Sequence, residues 1–134
     1  MSVTAQLASF AVAPPGGFMT QALAESIRHK FLDTIGITVA GANSTATRVL
    51  LSAIKDAGGN PEASIIGTAH RTSLAQAGLV NGASAHALEY DDLTPDITHM
   101  SSSMVPGCLA IAEKLDLSGR ELMEAFALGF EVAG

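Results

Sequence analysis

Between Leu23 and Val39 the apolar residues Leu23, Ile27, Phe31, Leu32, Ile35 and Val39 recur at spacings of three and four. That period lines one side of an α-helix and is wrong for a strand, whose faces repeat every two residues. Arg28, His29, Lys30 and Asp33 fall largely on the other side. The β-branched run Ile35–Val39 invites a strand, but the unbroken period before it predicts a buried helix end. Gly41 and Asn43 supply the stop.

The same reasoning carries along the chain. Val3 to Ala13 is a short apolar helix ended by Pro14, Pro15, Gly16 and Gly17. Ser44 or Thr45 caps a helix through Val49, Leu50, Ala53 and Ile54, and Gly58-Gly59-Asn60-Pro61 closes it. Ala63 to Gly67 reads as one short strand and Thr68 to Thr72 as a turn with a second. Ser73 caps a helix through Ala77 and Ala83 to Ala87, small along one side at Gly78 and Gly82. Small faces let backbones approach closely or admit a ligand. Met104 to Leu115 is apolar almost all round, which predicts a central helix. Ser118-Gly119-Arg120-Glu121 is a capping box that opens the last one. The expected fold is therefore all-α, or mostly α, with at most one small β-hairpin near residues 63–72.

Composition removes several classes. Charged residues are 15% and hydrophobic ones 48% of 134, the reverse of a disordered chain. Gly, Pro and polar residues interrupt every uncharged stretch, so no membrane span is expected. Thirteen acidic residues against seven basic ones offer nucleic acid no cationic patch. The single Cys108 builds no disulfide scaffold and reads as a buried small hydrophobe. Met1 to Val12 has neither the charged start of a secretory signal nor the arginines of a transit peptide, so the expected compartment is the cytoplasm. So little charge on a chain this short predicts faces buried against a partner or more of its own chain.

The chemistry gathers between two apolar helices. Glu89, Asp91, Asp92 and Asp96 lie within eight residues, with His86 before them and His99 after. Carboxylates beside an imidazole fix its tautomer and suit acid–base work. The plain alternative is a polar loop whose Asp and Ser residues cap helix ends. Asp91, Asp92, Asp96 and His99 also offer oxygen and nitrogen to a metal. They match no EF-hand, and neither HExxH nor CxxC occurs, so no metal is expected. His86 suits either a core or a pocket, and His29 and His70 read as surface residues. Gly78-Leu79-Val80-Asn81-Gly82 is not a nucleotide-binding glycine motif.

Four segments carry a resemblance: Leu32-Asp33-Thr34-Ile35-Gly36; Val80-Asn81-Gly82-Ala83-Ser84-Ala85-His86-Ala87-Leu88-Glu89-Tyr90-Asp91-Asp92; His99-Met100-Ser101 followed by Val105-Pro106; and Gly129-Phe130-Glu131-Val132. In order and spacing they resemble the start of the MmgE/PrpD family, which includes 2-methylcitrate dehydratase and cis-aconitate decarboxylase. The resemblance implies part of a cofactor-free lyase for a small polycarboxylate substrate. Such proteins are several hundred residues long and commonly homodimers. Residues 1–134 would then be a partial N-terminal helical domain, without the lid domain and C-terminal part. It implies His99, Asp91 and Asp92 as catalytic residues, and Glu89, Thr94, His86 and Ser101 as substrate-binding ones. The alternatives are a cis-aconitate decarboxylase-like activity, or a helical fragment inert by itself. Three positions depart from the family pattern: Met100 replaces a Pro after the histidine, Leu93 replaces a Thr after the acidic pair, and Glu89 stands where Asp is common.

Overall fold

The computed structural model describes residues 1–93 and 99–134. Among them are six helices, α1 (Val3–Val12), α2 (Gln21–Gly41), α3 (Thr45–Ala57), α4 (Leu74–His86), α5 (Met100–Leu115) and α6 (Gly119–Ala133). One antiparallel pair, β1 (Ala63–Ser64) and β2 (Arg71–Thr72), joins α3 to α4, with Ala63 opposite Thr72. The chain is mostly α with one small hairpin, as its periodicity predicts. No helix among the described residues is long and apolar enough to cross a membrane.

Side-chain oxygens start most helices. Ser2, Thr20, Ser44 and Ser118 accept backbone N–H groups three residues on, each satisfying a donor that the first turn leaves unpaired. The Ser118–Glu121 capping box forms in both directions. Ser73 stands at the predicted cap position of α4 but makes no such bond. Its hydroxyl donates to Gln76 Oε1, and the Leu74 amide is met by Glu62 instead.

Helix α4 packs most extensively against α5 and then against α2. Glycine permits both crossings. A Cβ on Gly41 would lie 2.0 Å from the Ser84 carbonyl oxygen, and one on Gly82 would lie 3.3 Å from that of Ser102. Pro106 lies inside α5 and has no N–H to offer Ser102 four residues back. The apolar core of α2, α5 and α6 centres on Ile27, Val105, Phe126 and Ala127, with Phe31 edge-on to Phe126 at 5.1 Å. Ile54 of α3 and Val80 of α4 close a second apolar cluster with Ile65, and beside it polar groups meet. Thr47 Oγ1 donates to the Gly41 carbonyl at 3.0 Å and pairs with Ser84 Oγ at 3.1 Å.

Side chains tie the hairpin down. Asn81 on α4 is buried, accepts the Ile66 amide and donates to the Ser64 carbonyl. Glu113 on α5 accepts from the Ser64 amide and hydroxyl and pairs with Arg71.

Helix α5 differs from expectation in two ways. It begins at Met100, one turn before Met104, so Met100 to Ser103 belong to its first turn and not to a loop. Nor is it buried all round: Ile111 and Leu115 are exposed while Ser101 and Ser102 are buried. The early start follows from a cap that lies far away in sequence, which local periodicity cannot register.

Candidate functional site

The segment after α4 turns back sharply. Glu89 has φ 53°, in the left-handed region, and its amide bonds to the His86 carbonyl. The turn brings Asp91 under the last residue of α4. Its side chain is completely buried, and His86 Nδ1 lies 3.1 and 3.0 Å from its two oxygens. His99, immediately before α5, comes from the other side and puts Nδ1 3.2 Å from Asp91 Oδ2. The two imidazoles meet edge to face with centroids 4.8 Å apart. One carboxylate thus lies between two imidazoles, each on a different helix end.

The surroundings settle the charge of Asp91. Burial pushes its carboxyl up, but the Ser102 hydroxyl and the His86 imidazole outweigh burial and hold it below the usual carboxylate range. Asp91 is therefore an anion at neutral pH, able to accept from a ring N–H and orient it.

Asp92, one residue on, has other partners. Its Oδ1 accepts the Ser101 amide at 3.1 Å, and Oδ2 accepts the Ser101 hydroxyl and the Lys30 ammonium, both at 2.7 Å. It thereby caps the first turn of α5 from nine residues away, and no side chain caps it from the usual position. Burial raises its carboxyl, while Lys30 and Ser101 bring it below its ordinary value.

An open cleft of ≈ 470 Å³ runs between α4 and α5, lined by Gly78, Leu79, Gly82, Ala83, His86, His99, Ser102 and Ser103. The small side of α4 leaves this space. Of the expected site residues, the structure brings His86, Asp91 and His99 together. Glu89 is exposed, and Ser101 is buried against Asp92, so Ser102 and Ser103 are the serines at the cleft. Thr94 and Asp96 lie outside the described residues. Among the described residues, the donors that could approach one metal ion are His86, Asp91 and His99, within 4.8 Å of one another. This set differs from the one read in sequence, because it takes in His86 and leaves out Asp92.

Sequence reasoning missed Lys30 and Ser102. Lys30 was read as one of a polar row, yet it reaches Asp92 across 62 residues and stands 5.0 Å from the centre of the Phe130 ring. Nothing local to it signals either contact. Ser102 had a weak signal in its position on the first helical turn after His99, whose carbonyl it bonds.

A slightly larger cleft, ≈ 490 Å³, lies along Ile35, Ile66, Leu109, Glu113 and Leu122. Of its two acids, Glu113 is occupied with Ser64 and Arg71 and Asp116 stands at the C-terminal cap of α5, and no imidazole is among its described lining residues. The chemistry therefore lies in the smaller cleft.

Comparison with known proteins agrees with the resemblance. The model of the MmgE/PrpD N-terminal domain matches residues 5–134. Human cis-aconitate decarboxylase is 30% identical over 134 residues, which is 94% of this chain and 28% of that protein. The mouse enzyme is 26% identical over 121 residues, 87% of this chain and 25% of its own length. The chain thus spans about a quarter of the length of these relatives. The match runs through both helix ends that carry the imidazoles and the acidic turn between them, so the chain belongs to the MmgE/PrpD family.

Proposed function

We propose that this chain supplies part of the active site of a lyase for a small polycarboxylate, with His99 moving the proton. The observation that supports it best is the buried, anionic Asp91 carboxylate 3.2 Å from His99 Nδ1 at the wall of a cleft. Asp91 stands beside Nδ1 as a charge, without a hydrogen bond to it, and Nε2 is left for substrate. In dehydration, an imidazole takes a proton from the carbon α to a carboxylate. The electron pair forms a C=C bond, and hydroxide leaves the neighbouring carbon with the help of an acid. His99 takes one of these two roles. Asp92 and Ser101 fix the start of α5, and hence His99, while Glu89, Thr94 and His86 remain substrate-side candidates.

The residues lining the cleft include no Lys or Arg, and Lys30 is already paired with Asp92. The cations a tricarboxylate needs come, in this reading, from sequence outside these 134 residues or from a second subunit. The reaction uses no cofactor, and the enzyme is a cytoplasmic homodimer.

A second reading is favoured by the names of both matched relatives, which are cis-aconitate decarboxylases. There a C–C bond breaks, CO2 leaves, and the pair left on carbon takes a proton from the same imidazole. Incubating the full-length enzyme separately with 2-methylcitrate and cis-aconitate, and following products by NMR, tests both. A new C=C with loss of water supports dehydration, and released CO2 supports decarboxylation. Turnover of neither overturns the proposal.

A further inference from the structure

Proton chemistry leaves one atom of the cluster unexplained. His99 Nδ1 is buried and has no hydrogen-bond partner among the described residues. Asp91 Oδ2 is close at 3.2 Å, but lies off the direction along which the ring nitrogen can form a hydrogen bond. The same oxygen is 3.0 Å from His86 Nδ1. Buried ring nitrogens ordinarily find a partner, so a second electron-poor group near this point would complete the arrangement.

A dication fits that description better than a proton. A tetrahedral zinc with bonds of ~2.0–2.1 Å separates its donor atoms by ~3.3 Å. The two N···O separations, 3.0 and 3.2 Å, are within a few tenths of that, and the donors of all three residues lie within 4.8 Å of one another. His86 is half exposed at the end of α4, and a change of its side-chain rotamer would shorten the remaining separation. Two imidazoles and one carboxylate suit zinc, cobalt or nickel rather than magnesium or calcium, which prefer oxygen alone. His86 and His99 also line the cleft, from which water would supply the fourth ligand.

We propose that His86, Asp91 and His99 form a binding site for a divalent transition metal of the zinc class. The inference goes beyond the lyase reading and does not rest on it. With the metal in place both Nδ1 atoms and Asp91 are ligands, so occupation and proton transfer by His99 exclude one another.

Calorimetric titration of the purified, metal-stripped protein with Zn2+ tests this, alongside Co2+ followed by the visible absorption of four-coordinate cobalt. One equivalent is expected to bind, with four-coordinate absorption. His86→Ala and Asp91→Asn should each weaken binding by about tenfold or more, while the double variant His29→Ala/His70→Ala should bind as the parent does. Because Asp91 is buried, circular dichroism checks the fold of its variant. His86 is half exposed, so its variant keeps the test decisive should Asp91→Asn unfold. Absence of a one-equivalent site, binding undiminished by His86→Ala, or binding lost with His29 and His70 would overturn the proposal.

Discussion

Asp91 has no exposed side-chain surface and stays ionised because Ser102 and His86 outweigh the cost of burying it. This buried carboxylate that keeps its charge is bonded to the His86 imidazole and lies 3.2 Å from His99 Nδ1. If His99 transfers the proton, His99→Ala in the full-length enzyme is expected to lower kcat by about 10²–10⁴-fold, with the melting temperature little changed. A lowered melting temperature with unchanged kcat would make His99 a structural residue. Asn81 presents the opposite case, a buried polar residue whose work is structural. Its amide serves the Ile66 N–H and the Ser64 carbonyl together. Asn81→Ala strands both, and should cost about 2 kcal/mol in denaturant unfolding. A loss below half of that would mean water replaces the amide.

At the scale of elements, the crossing of α2 and α4 depends on Gly41. A methyl group there would sit 2.0 Å from the Ser84 carbonyl oxygen, and backbone cannot swing aside as a side chain can. Gly41→Ala should destabilise by about 3 kcal/mol, at the upper end of overpacking costs, despite alanine's better helix propensity. A stabilised variant would show that the helices separate freely. Ser118→Ala should cost about 1 kcal/mol, since both halves of its capping box form at the surface. That box was legible in sequence because all its parts lie within four residues. So were the helix α2, the Ser44 cap and the hairpin near residues 63–72, but not the burial expected at the end of α2, where Ile35 and Val39 are exposed and Thr34 and Thr38 are buried. The true start of α5 was not, because Asp92 caps it from nine residues away and Lys30 holds Asp92 from 62. The candidate site divides in the same way. His86, Asp91 and His99 stood out as residue types within one short segment. Which of the two adjacent aspartates meets the imidazoles depends on a left-handed turn at Glu89, a conformation that a non-glycine residue does not advertise.

Across the whole molecule, three of the carboxylates held below their ordinary range, Asp91, Asp92 and Glu113, converge on α5. Asp91 joins the end of α4 to its start. Asp92 joins α2 to its first turn. Glu113, raised by burial but lowered further by Ser64 and Arg71, joins the hairpin to its last turns. A carboxyl whose folded pKa lies below its unfolded value stabilises the fold fully above the unfolded value, and that share is lost as pH falls through the folded one. The ordinary values are 3.8 for the two aspartates and 4.5 for the glutamate, so this stabilisation should begin to disappear below about pH 5. Protonation then frees α5 at both ends, and because α5 packs on α2, α4, α6 and β1, the loss should be cooperative rather than a local fraying. The melting temperature is expected to decline from about pH 5 to pH 3, as a single transition. Asp92→Asn should start lower at neutral pH, since Lys30 loses its partner, and then decline less steeply, since one of the linked protons is gone. Thermal unfolding of both proteins across that range decides the matter. Parallel declines would mean that Asp92 contributes nothing to acid sensitivity and that the anchoring of α5 comes from packing alone.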